Sequence, residues 1–369
     1  MKKWLFVVLF AILVLPGTDV RAGVVEPNGK DEWGYYSDSG NIMYELEETG
    51  YAKLVKGKTY YVGRSIDVFG NVKLDATGAT LIVADEAVRN DGGELKKGYD
   101  SMSNITIIGG KWISESKDGN PGTSFSFSHA KNITLKNMDI RCASADGHGV
   151  EFVSCQNVVM KNCKVIAQGS GRKNSVEESV QIDLDTPRTA PYLPDDLHDG
   201  TPCKNVTIDH CTIKGCRGLC ASFPSSEKEY WKKYHDKIVV KNSTITGTKA
   251  EALALFNSNN VTVKNNKIIS KSHRVKEAYS IGCHIALFGN IKAFSKGKNV
   301  VTGNTIKGGR QGFQLCSHTK SRYGKLTIKN NRCYSKKGRG NALKITVNAK
   351  GKRSAIRLVK KGNKLRKWK

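Results

Sequence analysis

The chain has 369 residues, with 60 Lys and Arg against 33 Asp and Glu, which gives a formal net charge of +27. This length allows two or three domains or one elongated repeat domain, so internal repeats must be sought first. The ten cysteines show no pair of C-x-x-C motifs, which argues against a structural zinc site. After residue 22 no segment is apolar enough to cross a bilayer, which argues against an integral membrane protein.

The first 22 residues are typical of a secretory signal peptide. Met-Lys-Lys is followed by an apolar run from Trp4 to Leu15 and by the small-residue pattern that ends at Ala22. The run is too short for a membrane span, so we expect cleavage after Ala22, with an uncleaved anchor as the alternative. The mature protein is then secreted and soluble, either extracellular or associated with the cell wall.

The next segment predicts a cap on the first coil. Residues 41–54 alternate apolar and polar side chains at helical spacing, and residues 57–84 contain short β-type runs. Because an open end of a coiled sheet exposes unpaired backbone groups, we expect a short N-terminal capping helix here.

From residue 104 onward the chain repeats one template, N-V-x-I/V-x-N-x-x-I. Most copies start about 23 to 32 residues apart, which is the spacing of a solenoid with inserted loops. The copies begin at Asn104, Asn132, Asn157, Asn205, Lys237, Asn260, Asn299 and Lys325.

A further short strand follows each copy, for example FSF at Phe125, VEF at Val150 and FQL at Phe313. Three short strands per turn without a helical period predict an all-β, right-handed parallel β-helix. We therefore expect one such domain over residues 23–345, including the N-terminal cap. Residues 346–369 are predicted to form a basic C-terminal tail or cap.

The second Asn of the template forms a column that we interpret as structural. Asparagine at this turn tolerates left-handed backbone geometry, and stacked amides can hydrogen-bond from coil to coil. His210 falls in the same column, so we interpret it as a substitute in the ladder and not as a base. The column holds Asn137, Asn162, Asn242, Asn265 and Asn330.

The cysteines follow the same register. Cys155 and Cys203 occupy equivalent positions on successive coils, as do Cys163 and Cys211. An exported chain with ten cysteines would ordinarily suggest disulfides. The second pair is predicted to point inward, however, where stacked thiols are favoured over a bridge.

The positive charge is concentrated near the C-terminus. Glu277 is the last acidic residue, and about two dozen Lys and Arg follow it. Such a field attracts acidic polysaccharides or wall polymers, and a solvated lysine surface is the alternative. Secretion and the absence of a stacking-aromatic motif argue against nucleic acid as the partner. We expect a monomer that attaches electrostatically to cell-wall polyanions through these coils.

The repeat also resembles a known family. The pattern GVEF…NVVMKNCKV…EESVQID…CKNVTIDHCTIKGCRGL is similar to the polygalacturonase family of glycoside hydrolases, within the secreted pectin-lyase-like β-helix proteins. The resemblance implies that the family's N-T-D, D-D, G-H-G and R-I-K motifs fall on residues 146–148, 177–178, 216–218 and 254–256. Only the second keeps carboxylates at both of its positions.

Polar residues crowd one face of three successive coils. Adjacent coils lie about 5 Å apart, so Glu151 can face Gln181, and Glu178 lies one coil from His148 and Arg217. Paired carboxylates with separated pKa values suit acid/base glycoside cleavage, and an arginine can bind a substrate carboxylate. The predicted catalytic residues are Glu178, Asp183, Glu177 and His148, and the predicted substrate-binding residues on this face are Glu151, Gln181 and Arg217.

Inserted loops are expected to wall this face. The insertion at residues 185–201 supplies Tyr192, and the loop at residues 225–235 supplies Tyr230 and Trp231 for stacking on sugars. A glycan running along the axis would then reach Arg310 and Gln314. No cofactor is predicted; the alternative is a Ca²⁺ site at Asp195, Asp196 and Asp199.

Three functions remain open from the sequence. The first is a secreted glycoside hydrolase that acts on an acidic, uronate-bearing glycan. The second is a calcium-assisted polysaccharide lyase, in which Arg217 or a nearby Lys would be the base. The third is a β-helix protein that binds glycan or cell wall without cutting it.

Overall fold

The computed structural model describes residues 23–29, 38–90, 94–115, 122–142, 147–167, 177–223, 226–272, 279–288, 291–317, 323–347 and 356–369. The predicted signal peptide, residues 1–22, lies outside the described residues. Within the described ranges, no helix combines the length and the hydropathy needed to span a membrane.

The capping helix is confirmed, with a shifted end. Helix α1 spans Asp38–Thr49, and its Ile42 and Leu46 are buried in the core of the first coils. Gly50, at φ 71°, terminates the helix, and its N–H donates to the Leu46 carbonyl at 2.9 Å. Residues 51–54, predicted as helix, therefore form a strand.

Thirty-two strands occupy the described residues. The strands of the first coils are β1 (Val24–Val25), β2 (Tyr51–Leu54), β3 (Thr59–Val62), β4 (Ile66–Asp67), β5 (Val72–Val83), β6 (Val88–Arg89) and β7 (Met102–Ser114). The central strands are β8 (Phe125–Ser128), β9 (Ala130–Lys136), β10 (Asp139–Arg141), β11 (Val150–Val153), β12 (Gln156–Lys161), β13 (Lys164–Ile166), β14 (Glu178–Asp183), β15 (Lys204–Asp209), β16 (Thr212–Gly215), β17 (Arg217–Ala221), β18 (His235–Lys241), β19 (Thr244–Gly247) and β20 (Leu253–Phe256).

The remaining strands lie in the basic part of the chain. They are β21 (Ser258–Asn259), β22 (Thr262–Lys264), β23 (Lys267–Ser270), β24 (Ile281–Leu287), β25 (Lys298–Thr302), β26 (Thr305–Gly308), β27 (Gln311–Ser317), β28 (Tyr323–Lys329), β29 (Arg332–Ser335), β30 (Leu343–Val347), β31 (Ile356–Lys361) and β32 (Lys364–Lys367). Short 3-10 helices occupy Asp195–Leu197, Lys228–Tyr230, Lys292–Lys296 and Arg339–Asn341.

The strands stack into parallel ladders, one strand of each per coil. The ten-stranded cleft sheet has the order β4-β6-β8-β11-β14-β17-β20-β24-β27-β30. Two further ladders run from β9 through β12, β15 and β18, and from β10 through β13, β16 and β19. The three predicted short strands per coil and their parallel stacking are therefore confirmed.

The core is a column of inward side chains along the axis. In β12 the buried positions are Val158 and Met160, which pair with Val206 and Ile208 of the next coil. The ring centroids of Phe127 and Phe152 stack 5.7 Å apart. Alternation puts the other side chains of these strands outside, as the pattern of the repeats predicts.

The asparagine column is also confirmed. All five predicted residues have φ between 53° and 57°, and His210 joins them at 53°. The Asn162 amide donates to Asn137 Oδ1 at 3.1 Å. A second exposed column forms at the first Asn of the template, where the Asn157 amide donates to Asn132 Oδ1 at 2.9 Å.

No disulfide joins any of the ten cysteines, and all ten are buried. The predicted stacked thiols are present, since Cys163 and Cys211 pack inside consecutive coils. At the basic end, β31 pairs with β28 and β32 pairs with β29. The segment assigned to a tail or cap thus contains one more stacked coil.

Candidate functional site

The insertion at residues 185–201 lies across the outer face of the cleft sheet. Its Ala190 and Leu193 pack on Val153 of β11, and Ser154 Oγ donates to the Thr201 carbonyl at 2.7 Å. As a result, every residue of β11 and β14 is buried, on the outer face as well as the inner one. Polar side chains that would face water in a bare coil are therefore enclosed.

A histidine–aspartate network anchors the insertion. Asp185 is fully buried, and its two oxygens contact His129 Nε2 at 2.9 Å and His198 Nδ1 at 2.7 Å. His129 Nδ1 contacts the Gly98 carbonyl at 2.9 Å. Burial acts to lower the pKa of His129, but the hydrogen bonds to Asp185 and Gly98 and the charges of Asp185 and Asp199 together raise it. These contacts satisfy the ring nitrogens of His129, so the network positions the loop.

A cleft of about 450 Å³ opens between the insertion and the cleft sheet. His148 and Glu151 line it from the sheet, Tyr192 from the insertion, and Arg89 and Arg188 are also among its lining residues. Of the four residues that the sequence predicts to be catalytic, His148 alone lines this cleft.

Glu151 is the central acid of the cleft. Its carboxylate accepts a hydrogen bond from the Tyr192 hydroxyl at 3.0 Å, and its other oxygen lies 3.7 Å from His148 Nε2. The residue is only 2% exposed. Burial raises the pKa of Glu151, against the opposing effects of His148 and of the Tyr192 hydrogen bond.

Asp183 lies behind Glu151. The register pairs Glu151 with Gln181, as predicted, and the Gln181 amide donates to Asp183 Oδ1 at 2.9 Å. One ring nitrogen of His148 and one carboxylate oxygen each of Glu151 and Asp183 lie within 4.8 Å of one another. Burial, together with repulsion from Glu151, raises the pKa of Asp183 well above its usual range. Glu151 therefore opposes ionisation of Asp183, and Asp183 keeps its proton to a higher pH than an isolated carboxyl would.

Charged side chains continue along the cleft sheet from Glu178 toward the basic end of the chain. Glu178 lies 3.4 Å from His148 and pairs with Arg217, as the predicted register requires. Arg217 Nε also contacts Glu251 at 3.0 Å, and Glu251 contacts His284 Nδ1 at 3.1 Å. An unbroken series of contacts thus leads from Tyr192 through the cleft acids to His284.

The predicted role of Arg217 needs correction. Its guanidinium is only 9% exposed and is bound to two protein carboxylates, so it is not available as a bidentate ligand for a substrate carboxylate. The same pairing makes Arg217 unsuitable as a base, because Glu178 and Glu251 hold its pKa above the usual value despite the opposing effect of burial.

The other predicted residues lie at several places. Glu177 is half-buried, next to Glu178 at the start of β14. The Tyr230 ring packs on Gly200, and its hydroxyl donates to the His198 carbonyl at 3.4 Å, so it supports the insertion from behind. Trp231, which follows it, does not line the cleft described above.

The predicted calcium ligands do not converge. Asp195 is fully exposed, whereas both oxygens of Asp199 accept hydrogen bonds, from Thr201 and from the Gly98 N–H. In the described part of the chain, the side chains close enough to share a metal ion with Asp199 are His129 and Asp185. Asp195 and Asp196 do not belong to this group.

Sequence reasoning missed Glu251 and His284. Extending the register by one coil from Arg217 brings in Glu251, and the outward position of β24 that pairs with Gln314 is His284. Gln314 therefore lies on the cleft sheet, as predicted, and Arg310 directly precedes β27. Glu251 and His284 could have been found from the sequence by the same alternation of inward and outward positions that identified Glu151 and Gln181.

Comparison with known proteins agrees with this architecture. Residues 199–357 match the family model described as the right-handed β-helix region. The chain is a right-handed parallel β-helix. Two solved structures of PfbA, a surface adhesin of Streptococcus pneumoniae, resemble this β-helix with TM-scores of 0.57 and 0.53 at 14% and 15% identity. The matches cover 94% and 91% of this chain and 99% and 89% of those chains.

The A-module of the mannuronan C-5 epimerase AlgE4 from Azotobacter vinelandii is also similar, with a TM-score of 0.45 and 13% identity over 90% of this chain and 94% of that one. A search of curated protein sequences finds no match. The two PfbA structures, at 14% and 15% identity, show the fold alone. Together with the family model they support the β-helix, and the resemblance to the polygalacturonase family stays a prediction.

Proposed function

We propose that this β-helix is an extracellular enzyme that cleaves a uronate-bearing polysaccharide by β-elimination in the cleft. The observation that carries the proposal is the position of Glu151. Its carboxyl lies between His148 and Tyr192 and has a raised pKa. Export rests on the predicted signal peptide.

Elimination needs three groups, and the cleft supplies a candidate for each. A protonated Glu151 donates a hydrogen bond to the uronate carboxylate and stabilises the negative charge that develops there. His148 takes the proton from the carbon next to that carboxylate, and the Tyr192 hydroxyl protonates the departing glycosidic oxygen. The carbon–oxygen bond breaks as the carbon–carbon double bond forms.

The predicted hydrolytic pair fits this geometry less well. Glu178 is held by Arg217, and Asp183 Oδ1 accepts hydrogen bonds from Gln181 and Ser222. Neither residue lines the cleft.

Glycan binding without cleavage is the second candidate. The basic coils beyond residue 277 favour it, because they offer an anionic polymer a positive field that extends past the cleft. PfbA, which has the same fold, is described as a surface adhesin. In this reading the cleft would hold a glycan in place.

A panel of acidic and neutral polysaccharides tests the proposal, with ultraviolet absorbance and reducing ends measured together. Glu151→Gln and His148→Ala should each lower the rate of unsaturated-product formation by on the order of a hundredfold or more, with binding retained. Glu48→Gln and Tyr44→Phe, both at exposed positions of α1, are the matched controls and should leave the rate unchanged.

Three other outcomes would contradict elimination. Reducing ends without ultraviolet absorbance would show hydrolysis. Salt-sensitive retention of glycan without new chain ends would show binding alone. An unchanged elimination rate in Glu151→Gln would remove Glu151 from the chemistry.

A further inference from the structure

A second cluster of reactive side chains lies on the cleft sheet, three to five coils from Glu151. Cys316 Sγ on β27 is 3.3 Å from His284 Nε2 on β24. The other ring nitrogen of His284, Nδ1, is 3.1 Å from Glu251 Oε1, two residues before β20. Thiol, imidazole and carboxylate are thus aligned across three consecutive coils.

The order of these contacts is that of a nucleophile, a base and an orienting acid. Glu251 is fully buried and paired with Arg217, which lowers the pKa of Glu251 against the effect of burial. An ionised Glu251 accepts the N–H at Nδ1 and so directs Nε2 at the sulfur. The ring orientation is therefore fixed by a charged group that has its own counter-ion.

The protonation of His284 supports this arrangement. Burial acts to lower the pKa of His284, but its bonds to Cys316 and Glu251 outweigh burial and raise it to about 9. At neutral pH the imidazole therefore holds a proton, which it can deliver to the leaving oxygen of a substrate.

The surroundings suit a small acyl group. The edge of the Phe256 ring meets His284 with 5.3 Å between centroids, and Phe288 lies 6.1 Å from Phe256, which forms an apolar wall. Gln314 is two residues before Cys316 and pairs with His284 in the register. Among the described residues, no group hydrogen-bonds the buried amide oxygen of Gln314. Cys316 is 7% exposed, and the His284 side chain is 14% exposed.

We propose that Cys316, His284 and Glu251 form a second catalytic site, which hydrolyses small acyl esters through a thioester on Cys316. The thiolate adds to the ester carbonyl and forms a carbon–sulfur bond. The carbon–oxygen bond then breaks, and the leaving alkoxide takes a proton from His284 Nε2. Water, deprotonated by His284, next adds to the thioester, and the carbon–sulfur bond breaks to release the carboxylic acid and the thiolate.

The test uses the whole mature chain with p-nitrophenyl acetate as the probe. A burst of about one equivalent of p-nitrophenolate is expected, followed by slower turnover, with the acetyl group found on the peptide that contains Cys316 by mass spectrometry. Cys316→Ala should remove the burst. Cys220→Ala is the matched control, because Cys220 occupies a buried outward position of the same sheet, and it should keep the burst.

A second measurement begins with the unmutated protein, so its first result does not depend on how well any variant folds. Limiting iodoacetamide should label Cys316 in that protein on the order of tenfold faster than any other cysteine. The variant His284→Ala should then lose this preference. Acetyl groups on other cysteines, labelling without preference for Cys316, or an unchanged burst in Cys316→Ala would overturn the proposal. Glu151→Gln should leave the burst intact, which separates this site from elimination in the cleft.

Discussion

At the scale of single residues, the decisive feature is burial of acids that the strand pattern places outside. Glu151 and Asp183 occupy outward positions, where solvent would ordinarily keep both ionised. The insertion at residues 185–201 covers them, and each is only 2% exposed. Because desolvation penalises the charged form, burial raises the pKa of both acids. An enclosed acid that keeps its proton can donate a hydrogen bond to a substrate.

This reasoning predicts the effect of Asp183→Asn on stability. The raised pKa keeps the folded Asp183 protonated after the unfolded chain, with a pKa near 3.9, has released its proton. Folded stability therefore falls as the pH rises through about 4 toward the folded pKa, and Asn avoids that loss. We expect a melting temperature about 2–4 °C above that of the parent at pH 7 and no gain near pH 3.5, measured by circular dichroism.

The control for this prediction is Asp209→Asn, which should act in the opposite direction. Burial acts to raise the pKa of Asp209, but hydrogen bonding from Asn242 and the charge of Lys241 lower it. Asp209 therefore stabilises the fold above pH 4, and its replacement should lower the melting temperature at pH 7. A loss of stability in Asp183→Asn at pH 7 would show that Asp183 is held as a carboxylate.

At the scale of the structural elements, polar turns join one coil to the next. The residue that follows each exposed asparagine or its substitute points into the coil. In the central coils this residue is a cysteine, as at Cys163 and Cys211, and in later coils it is an asparagine. Asn304 Oδ1 accepts from the Asn266 N–H at 2.8 Å, and Asn304 Nδ2 donates to Asn331 Oδ1 at 2.9 Å. Because Asn266, Asn304 and Asn331 are all buried, each depends on its neighbours for hydrogen bonds.

We therefore expect Asn304→Ala to destabilise the fold by about 3 kcal/mol or more. The substitution leaves buried partners unsatisfied on two neighbouring coils, at about 1–3 kcal/mol for each group. Asn157→Gly in the exposed column is the comparison, and it should cost less than about 1 kcal/mol, since water replaces the amide and glycine tolerates the left-handed φ of 56°. Urea unfolding measures both, and equal losses would contradict a special role for the buried ladder.

At the scale of the whole molecule, the charge is divided along the helix axis. Acidic and basic residues nearly balance up to Glu277, and the coils beyond it carry only basic charges. The structure places many of these side chains on the two ladders outside the cleft sheet, including Lys298 of β25 and Lys325 of β28. The proposed attachment to a polyanion and the proposed chemistry in the cleft would therefore use different surfaces.

Reversing three of these charges should separate attachment from catalysis. The triple variant changes three exposed residues to Glu, namely Lys298, Lys325 and Lys364. It should be retained on an anionic polysaccharide on the order of tenfold more weakly at low salt, and its retention should depend less on salt. Cleavage of a short oligosaccharide that fits the cleft should be unchanged. Retention is measured by affinity chromatography over a salt gradient.

The matched control reverses three exposed lysines of the first coils. Changing Lys53, Lys73 and Lys111 to Glu alters the net charge by the same amount and should leave retention on the polysaccharide nearly intact. If both triple variants lost retention equally, net charge would explain binding and no particular surface would be required.

The sequence by itself determined the β-helix, its coil boundaries and its exposed asparagine column, because each depends on alternation or on turn geometry within a few residues. It also placed Glu151 opposite Gln181 and Glu178 opposite Arg217, since the register follows from the repeats. Those relations are local or periodic, and a single chain displays them directly.

Only the tertiary structure decided what these residues do. The path of the insertion buried Glu151 and Asp183, and the pairing of Arg217 with Glu178 and Glu251 removed it as a substrate ligand. The contact of Cys316 with His284 joins residues 32 positions apart. Such contacts depend on loop path and side-chain packing between coils, and neither leaves a periodic signal in the chain.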